Sequence, residues 1–241
     1  MSLMKRNFLF TWYQTPRGKL LKDLESDYLK KSITVSCQQH ILQIGGLGWE
    51  GDFIDCTLYK NYTILDTKGL GCESARKIRA KAYCLPIQTD SMDMVIVPHL
   101  LEFDTHRFQT MREIERILKP EGVLVVLNFN PLSFWVRYQF LWDKKMADSW
   151  GGHFIFRSRI LDWLKLLNFE VTLSSKFNLD TVTSKQGKFI NEGHSYFFTA
   201  YAIKAIKRRY NIIPLTPVKN ANIRLTLVNS LNSVAQKEKH D

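Results

Sequence analysis

Along residues 17–31 the apolar positions Leu20, Leu21, Leu24 and Tyr28 gather on one side and charged positions on the other, which predicts an amphipathic helix. The run HILQIG at 40–45 stops abruptly at glycine and predicts a buried strand ending in a tight loop. YTILD at 62–66 predicts a second strand, followed by a glycine-bearing turn and a short charged helix around Glu73 to Ala80. MDMVIVPH at 92–99 is continuously apolar, as a parallel strand covered on both faces should be. Phe108, Met111, Ile114 and Leu118 then recur at helical spacing from about His106, with Pro120 and Gly122 closing the helix. GVLVVLNF at 122–129 is the strongest strand pattern in the chain. A helix at Arg157 to Leu167, a strand FEVTL at 169–173 and a long strand at 195–206 complete the order. The polar stretch from about Ser174 to His194 reads as a loop or insertion.

Strands alternating with helices predict an α/β fold: a Rossmann-like, doubly wound, mostly parallel sheet with helices on both faces. Ligands bind such sheets at the carboxyl ends of the strands, where the strand order reverses. The chain's 241 residues suffice for one substantial core with appendages.

That directs attention to the loop GGLGWEG at 45–51, directly after the first strand. Glycine belongs where a ligand must approach the backbone closely. Gly46, Gly48 and Gly51 satisfy the GxGxxG dinucleotide pattern, in which a pyrophosphate rests on a helix N-terminus. Gly45 and its neighbours equally suit a loop holding the amino-acid end of S-adenosylmethionine (SAM). Either cofactor needs an acid at the end of the second strand for ribose hydroxyls, and Asp66 stands there.

Composition narrows the setting. Cys37, Cys56, Cys72 and Cys84 form no CxxC pair, so neither a metal site nor a redox motif is spelled out, and a cytoplasmic location is expected. No run approaches the roughly 20 apolar residues of a membrane-spanning helix. Of the formal charge of +11, residues 204–241 carry eight Lys or Arg against Glu238 and Asp241. Such a tail can make weak contacts with RNA or an acidic membrane, or simply be solvated. No obligate nucleic-acid partner is evident.

Downstream of the loop, KAYCLPIQTDSMDMVIVPHLLEF at 81–103 and REIERILKPEGVLVVLNF at 112–129 resemble the class I SAM-dependent methyltransferases of the type 11 kind. These share, in order, a Leu-Pro-apolar turn, a Ser-x-Asp strand entry and an Arg-Glu-x-x-Arg-x-Leu-Lys-Pro-x-Gly helix end. TPRGKLL (15–21), PHLLEF (98–103), FNPLSFW (129–135), LDWLKLLNFEV (161–171) and PLTP (214–217) look like an uncharacterised bacterial group of such enzymes. The resemblance implies a seven-stranded sheet and a SAM-binding domain over 40–206. The residue pattern adds a helical extension over 1–39, an aromatic and basic insertion at 129–159 that is lid-like or else packed into the core, and a basic tail at 207–241. The resemblance also implies that Gly45, Gly46 and Gly48 line the methionine moiety, Asp66 the ribose, and Ala82 with Leu85 the adenine. The chain departs from the family pattern at Gln43, where an acid is usual, at Leu47 and Trp49, where glycines are usual, and at Lys81, where an aspartate is usual.

The expected activity is methyl transfer from SAM to a small-molecule or lipophilic acceptor. His99, at the end of the fourth strand, is the candidate base, because an imidazole titrates near neutral pH; Asn130, at the sheet's carboxyl edge, can offer donor and acceptor to a substrate. Structural alternatives stand beside both, a strand cap for His99 and a turn residue for Asn130. Glu102 is expected at the surface, with orientation of His99 as the alternative, and Asp93 is expected to cap or pair locally. Two other functions remain open: a methyltransferase-like binding module, suggested by Gln43, Trp49 and Lys81, and a nicotinamide-dependent oxidoreductase, suggested by GLGWEG.

Overall fold

The computed structural model describes residues 9–33, 38–55, 58–68, 71–73, 75–133, 136, 154–179 and 198–208. Residues 9–13 are helical and lead into α1, Pro16–Ser32. Thr15 caps this helix, its hydroxyl oxygen accepting from the Gly18 N–H at 3.1 Å, with Pro16 in the first turn where no N–H is missed. The buried face holds Leu21, Glu25, Tyr28, Leu29 and Ser32, so it is turned from the expected stripe, and Leu20 faces solvent.

Seven strands follow: β1 (Ile41–Ile44), β2 (Tyr62–Leu65), β3 (Arg76–Ile78), β4 (Met92–Pro98), β5 (Leu118–Phe129), β6 (Phe169–Phe177) and β7 (Ala200–Lys207). They form one sheet in the order β3-β2-β1-β4-β5-β7-β6. β1 to β5 pair in parallel, and β7 lies antiparallel between β5 and β6. Strand order therefore reverses between β1 and β4, and the carboxyl ends of those strands form the crevice in which such sheets hold ligands.

The sheet is covered on both faces, and its strand residues alternate between two cores. Ile41, Met94, Ile96, Val125 and Leu127 pack on the side of α1. Leu42, Ile44, Val95, Val97, Leu124 and Val126 pack on the side of α2 (Arg107–Ile117) and α3 (Arg157–Leu166). Each such side chain, removed from water, contributes about 1.5–3 kcal/mol before the entropy of ordering is subtracted.

Three expectations are different. The strand expected at 169–173 runs on to Phe177, so Ser174 to Phe177 is no loop, and the strand expected at 122–129 begins at Leu118, so Pro120 and Gly122 lie within it. The segment around Glu73 to Ala80 contains strand β3 rather than a short helix, in register with β2 through Thr63 and Arg76, Ile64 and Lys77, and Leu65 and Ile78. β3 lies at the sheet edge with Arg76 and Lys77 exposed, and charged side chains suit an edge strand because they discourage further pairing. The charges signal this exposure and carry no helical period.

The last strand is fastened to α2. Lys207 Nζ donates to the carbonyls of Glu115 at 2.6 Å and Leu118 at 2.7 Å and pairs with Asp90 at 3.0 Å. Lys204, also in β7, donates to the Ser32 carbonyl at 3.0 Å. These two cations of the basic C-terminal stretch are thus sheet residues. Residues 209–241, most of the 129–159 insertion including Trp135, and 180–197 lie outside the described residues. Among the described residues, no helix is long and apolar enough to cross a membrane.

Candidate functional site

β1 ends at Ile44, and the chain turns sharply through Gly45 (φ 98°) and Gly48 (φ 83°), a left-handed backbone that L side chains rarely adopt. At Gly48 a methyl group would also lie 3.0 Å from the Phe10 ring, so the helical residues 9–13 lie close against the loop. Asp66 follows β2 and is almost fully buried. Its carboxylate accepts from the Gly46 N–H at 3.3 Å and the Lys68 N–H at 2.8 Å, which places it against the glycine loop.

Within the loop, Glu50 supplies a buried carboxylate. It is fully buried and accepts from the backbone N–H of Leu47 at 2.5 Å, Gly48 at 3.0 Å and Cys72 at 3.1 Å. Gln43 donates to Glu50 at 3.0 Å and to the Gly45 carbonyl at 2.8 Å, while its own oxygen accepts from the Tyr62 hydroxyl at 2.5 Å. The neutral amide at 43 is compatible with the loop because the carboxylate arrives from seven residues later. Nothing periodic in the sequence signals this.

Glu50–Asp52 form a single 3-10 turn, the only helical element described in the crossover at 45–61, with Glu50 and Asp52 both acidic. A pyrophosphate needs a helix N-terminus and its positive dipole. The GxGxxG reading of Gly46, Gly48 and Gly51 therefore lacks its structural partner. Trp49 turns into the core, edge-on to Tyr13 at 5.4 Å and to Phe53 at 5.5 Å between ring centres.

The adenine candidates lie across the crevice. Leu85 is buried and Ala82 half-buried, both against the α2 side of the core. Their turn is held by two residues of the Arg-Glu-x-x-Arg helix motif. Glu113 accepts from the Leu85 N–H at 3.0 Å, and Arg116 donates to the carbonyls of Leu85 at 3.1 Å and Ile87 at 2.9 Å while pairing with Glu113 at 2.8 Å. The motif thus braces the Leu-Pro turn from the neighbouring helix. Lys81 lies 5.5 Å from the Tyr83 ring centre.

His99 directly follows β4 in a left-handed conformation (φ 46°) and has no exposure to solvent. Its Nε2 lies 2.9 Å from Glu25 Oε1 and its Nδ1 3.6 Å from Glu102 Oε2, both carboxylates being fully buried. Burial alone would lower the imidazole pKa, but the charge of Glu25, its hydrogen bond to the ring and the nearby Glu102 outweigh it and raise the value to about 9. The raised value favours the charged imidazolium at neutral pH. Tyr13 donates to the other oxygen of Glu25 at 2.7 Å, and the Phe129 N–H donates to Glu102. Glu102 is thus interior rather than at the surface, because the His99 cation and a backbone donor compensate its charge. Glu25 carries no mark of this role in the sequence beyond its helical register with Leu21, Tyr28, Leu29 and Ser32.

Asn130 is also enclosed. Its amide donates to the Phe198 carbonyl at 2.8 Å, its oxygen accepts from the Leu132 N–H at 3.2 Å, and its backbone N–H donates to Thr199 at 2.9 Å. These bonds shape the turn after β5 and tie it to the approach to β7. Asp93 lies at the opposite end of β4 and pairs locally with Lys119 at 2.8 Å and the His40 N–H at 2.9 Å.

Residues 57–126 match a family model described as a methyltransferase domain. The chain is 28% identical over 212 residues to the uncharacterized protein YafS of Escherichia coli strain K12, spanning 87% of this chain and 85% of that one. Among solved structures it is similar to a SAM-dependent methyltransferase of Thermotoga maritima, with TM-score 0.60, 18% identity, and 77% and 88% of the two chains covered. A SAM-dependent methyltransferase of Archaeoglobus fulgidus gives TM-score 0.57 and 20% identity over 77% and 94%. The geranyl diphosphate C-methyltransferase of Streptomyces coelicolor, solved with S-adenosyl-L-homocysteine, gives 0.53 and 12% over 78% and 80%. At these identities the structural likeness speaks for the fold.

Proposed function

We propose that the chain is a class I SAM-dependent methyltransferase of the type 11 kind and that it transfers a methyl group from SAM to a small-molecule or lipophilic acceptor. The methyltransferase-domain match over residues 57–126 and the fold support this reading. The observation that carries this is the contact between Asp66 and the Gly46 N–H, which sets a carboxylate beside a glycine turn at the reversal of strand order. A nucleoside there would rest its ribose hydroxyls on Asp66, its amino-acid end along Gly45, Gly46 and Gly48, and its adenine against Ala82 and Leu85. A carboxylate is the fitting partner for a diol, because it only accepts hydrogen bonds and a diol can donate two.

When bound, SAM supplies a methyl carbon on a positively charged sulfur, already activated for displacement. The chain's own task is alignment and exclusion of water, and alignment of this kind can contribute about 7–11 kcal/mol. We assign His99 a positioning role: fully enclosed and bonded through Nε2 to Glu25, it holds α1 over the carboxyl end of β4. Asn130 positions the turn after β5 in the same way. Phe10, against Gly48, supports the N-terminal residues as a cover over the loop.

The binding-module reading keeps one observation in its favour, since Glu50 already accepts the Leu47 and Gly48 N–H groups. Thermal unfolding with SAM, S-adenosylhomocysteine and NAD separates the readings. A ligand at about 100 times its Kd adds roughly 2.7 kcal/mol. Stabilisation by SAM and S-adenosylhomocysteine is expected; stabilisation by NAD alone overturns the proposal, and no response to any favours the binding module.

A further inference from the structure

A second concave site lies away from the glycine loop, between the N-terminal ends of α2 and α3. It is an open pocket of about 570 Å³, within the range of small-molecule sites. Its apolar wall includes Phe108, Phe156 and Trp163, and Phe108 and Phe156 are 41% and 51% exposed, large aromatic surfaces left facing water at one place. The rings of Phe108 and Trp163 meet edge-on at 6.0 Å. The charged lining residues are Arg107 and Arg159, joined by His106, and among the described residues no carboxylate lines the pocket.

The two arginines differ. Arg107 donates to the Asp104 carbonyl at 2.9 Å and is held in place by that bond. The Arg159 guanidinium has no hydrogen-bond or ion-pair partner among the described residues. It sits in the first turn of α3, which has no acidic residue there and no side-chain cap on its leading N–H groups. Backbone donors at a helix start and an unpaired guanidinium favour an anion. The exposed rings favour a flat or extended apolar body.

We propose that this pocket binds a small amphipathic carboxylate, an aromatic or alkyl acid, with the carboxylate on Arg159 and Arg107 and the apolar body against Phe108, Phe156 and Trp163. The site shares no residue with those assigned to the nucleoside, although its His106 stacks at 4.3 Å on Tyr83 of the adenine turn, and its ligand test does not depend on methyl transfer.

Isothermal titration of the full chain with 2-naphthoate, neutral 2-naphthylmethanol and inorganic phosphate tests it. Naphthoate is expected to bind with sub-millimolar Kd, and the alcohol and phosphate each about tenfold more weakly or not at all. Arg159→Ala and Phe156→Ala should each weaken naphthoate about tenfold while leaving the melting temperature and the affinity for S-adenosylhomocysteine at wild-type values; both side chains are exposed, so folding is retained. Equal binding of acid and alcohol, or naphthoate affinity indifferent to Arg159→Ala, overturns the proposal. Absence of naphthoate binding together with a dimer that Phe156→Asp dissociates gives this face to a second copy of the chain and overturns it as well.

Discussion

Glu25 Oε1 lies 2.9 Å from His99 Nε2, with both side chains fully shielded from water, so a single ion pair joins the N-terminal helix α1 to the carboxyl end of β4. With Glu102 on the other side of the ring, His99 is a buried cation whose charge is balanced from two separate segments.

That arrangement makes stability pH-dependent with a defined sign. The folded pKa of His99, about 9, exceeds its unfolded value of 6.5, so its contribution is fully present below 6.5 and is lost as pH rises through about 9. Its size is on the order of 3 kcal/mol. Denaturant midpoints should fall between about pH 6.5 and 9.5 for the wild type, and Glu25→Gln should flatten that fall. The substitution itself should destabilise by about 3–5 kcal/mol at pH 6.5, as expected on breaking a buried pair. An unchanged slope in Glu25→Gln contradicts the assignment.

Glu50 is the central acceptor of the glycine loop, receiving three backbone N–H groups and the Gln43 amide. Glu50→Ala should destabilise by about 3–5 kcal/mol, since several buried donors lose their partner at once. For a domain of this size that corresponds to a fall of roughly 6–20 °C in Tm, read by calorimetry. A fall within about 2 °C rejects this role.

Gly48→Ala meets two obstacles, a left-handed φ of 83° and the Phe10 ring at 3.0 Å. A loss of about 1–3 kcal/mol is expected. In a double-mutant cycle, Phe10→Ala should recover only the steric share, leaving the backbone share of about 1–2 kcal/mol. Full recovery means that the backbone angle carries no strain.

Asp66→Ala should weaken S-adenosylhomocysteine binding about 10- to 100-fold by titration calorimetry, because the ribose loses a charged acceptor worth about 1.5–3 kcal/mol. Unaltered affinity removes Asp66 from the nucleoside site.

Arg116→Ala should act on the same ligand from a distance. Without its bonds to the Leu85 and Ile87 carbonyls the turn below the adenine position loosens, and nucleoside affinity should fall severalfold. Hydrogen exchange at the Leu85 and Ile87 amides should rise in parallel. A loss of affinity with unchanged exchange contradicts the bracing role.

Read alone, the chain determined its central strands, because apolar runs such as Met94 to Val97 and Leu124 to Leu127 can be removed from water only when both faces of a sheet are covered. The sharp turn at Gly45 and the carboxylate at Asp66 were legible for a similar reason: left-handed backbone and strand-end spacing are local properties that leave a mark in residue type. Tertiary structure decided what depends on distance in space. Strand β3 exists because β2 offers it a free edge, and Glu50 reaches the Leu47 and Gly48 N–H groups because the loop folds back on itself. In the Glu25, His99 and Glu102 cluster, Glu25 and His99 come together from 74 positions apart. Charge is tolerated in the interior only when opposite charges and donors converge, and convergence is a property of the folded chain.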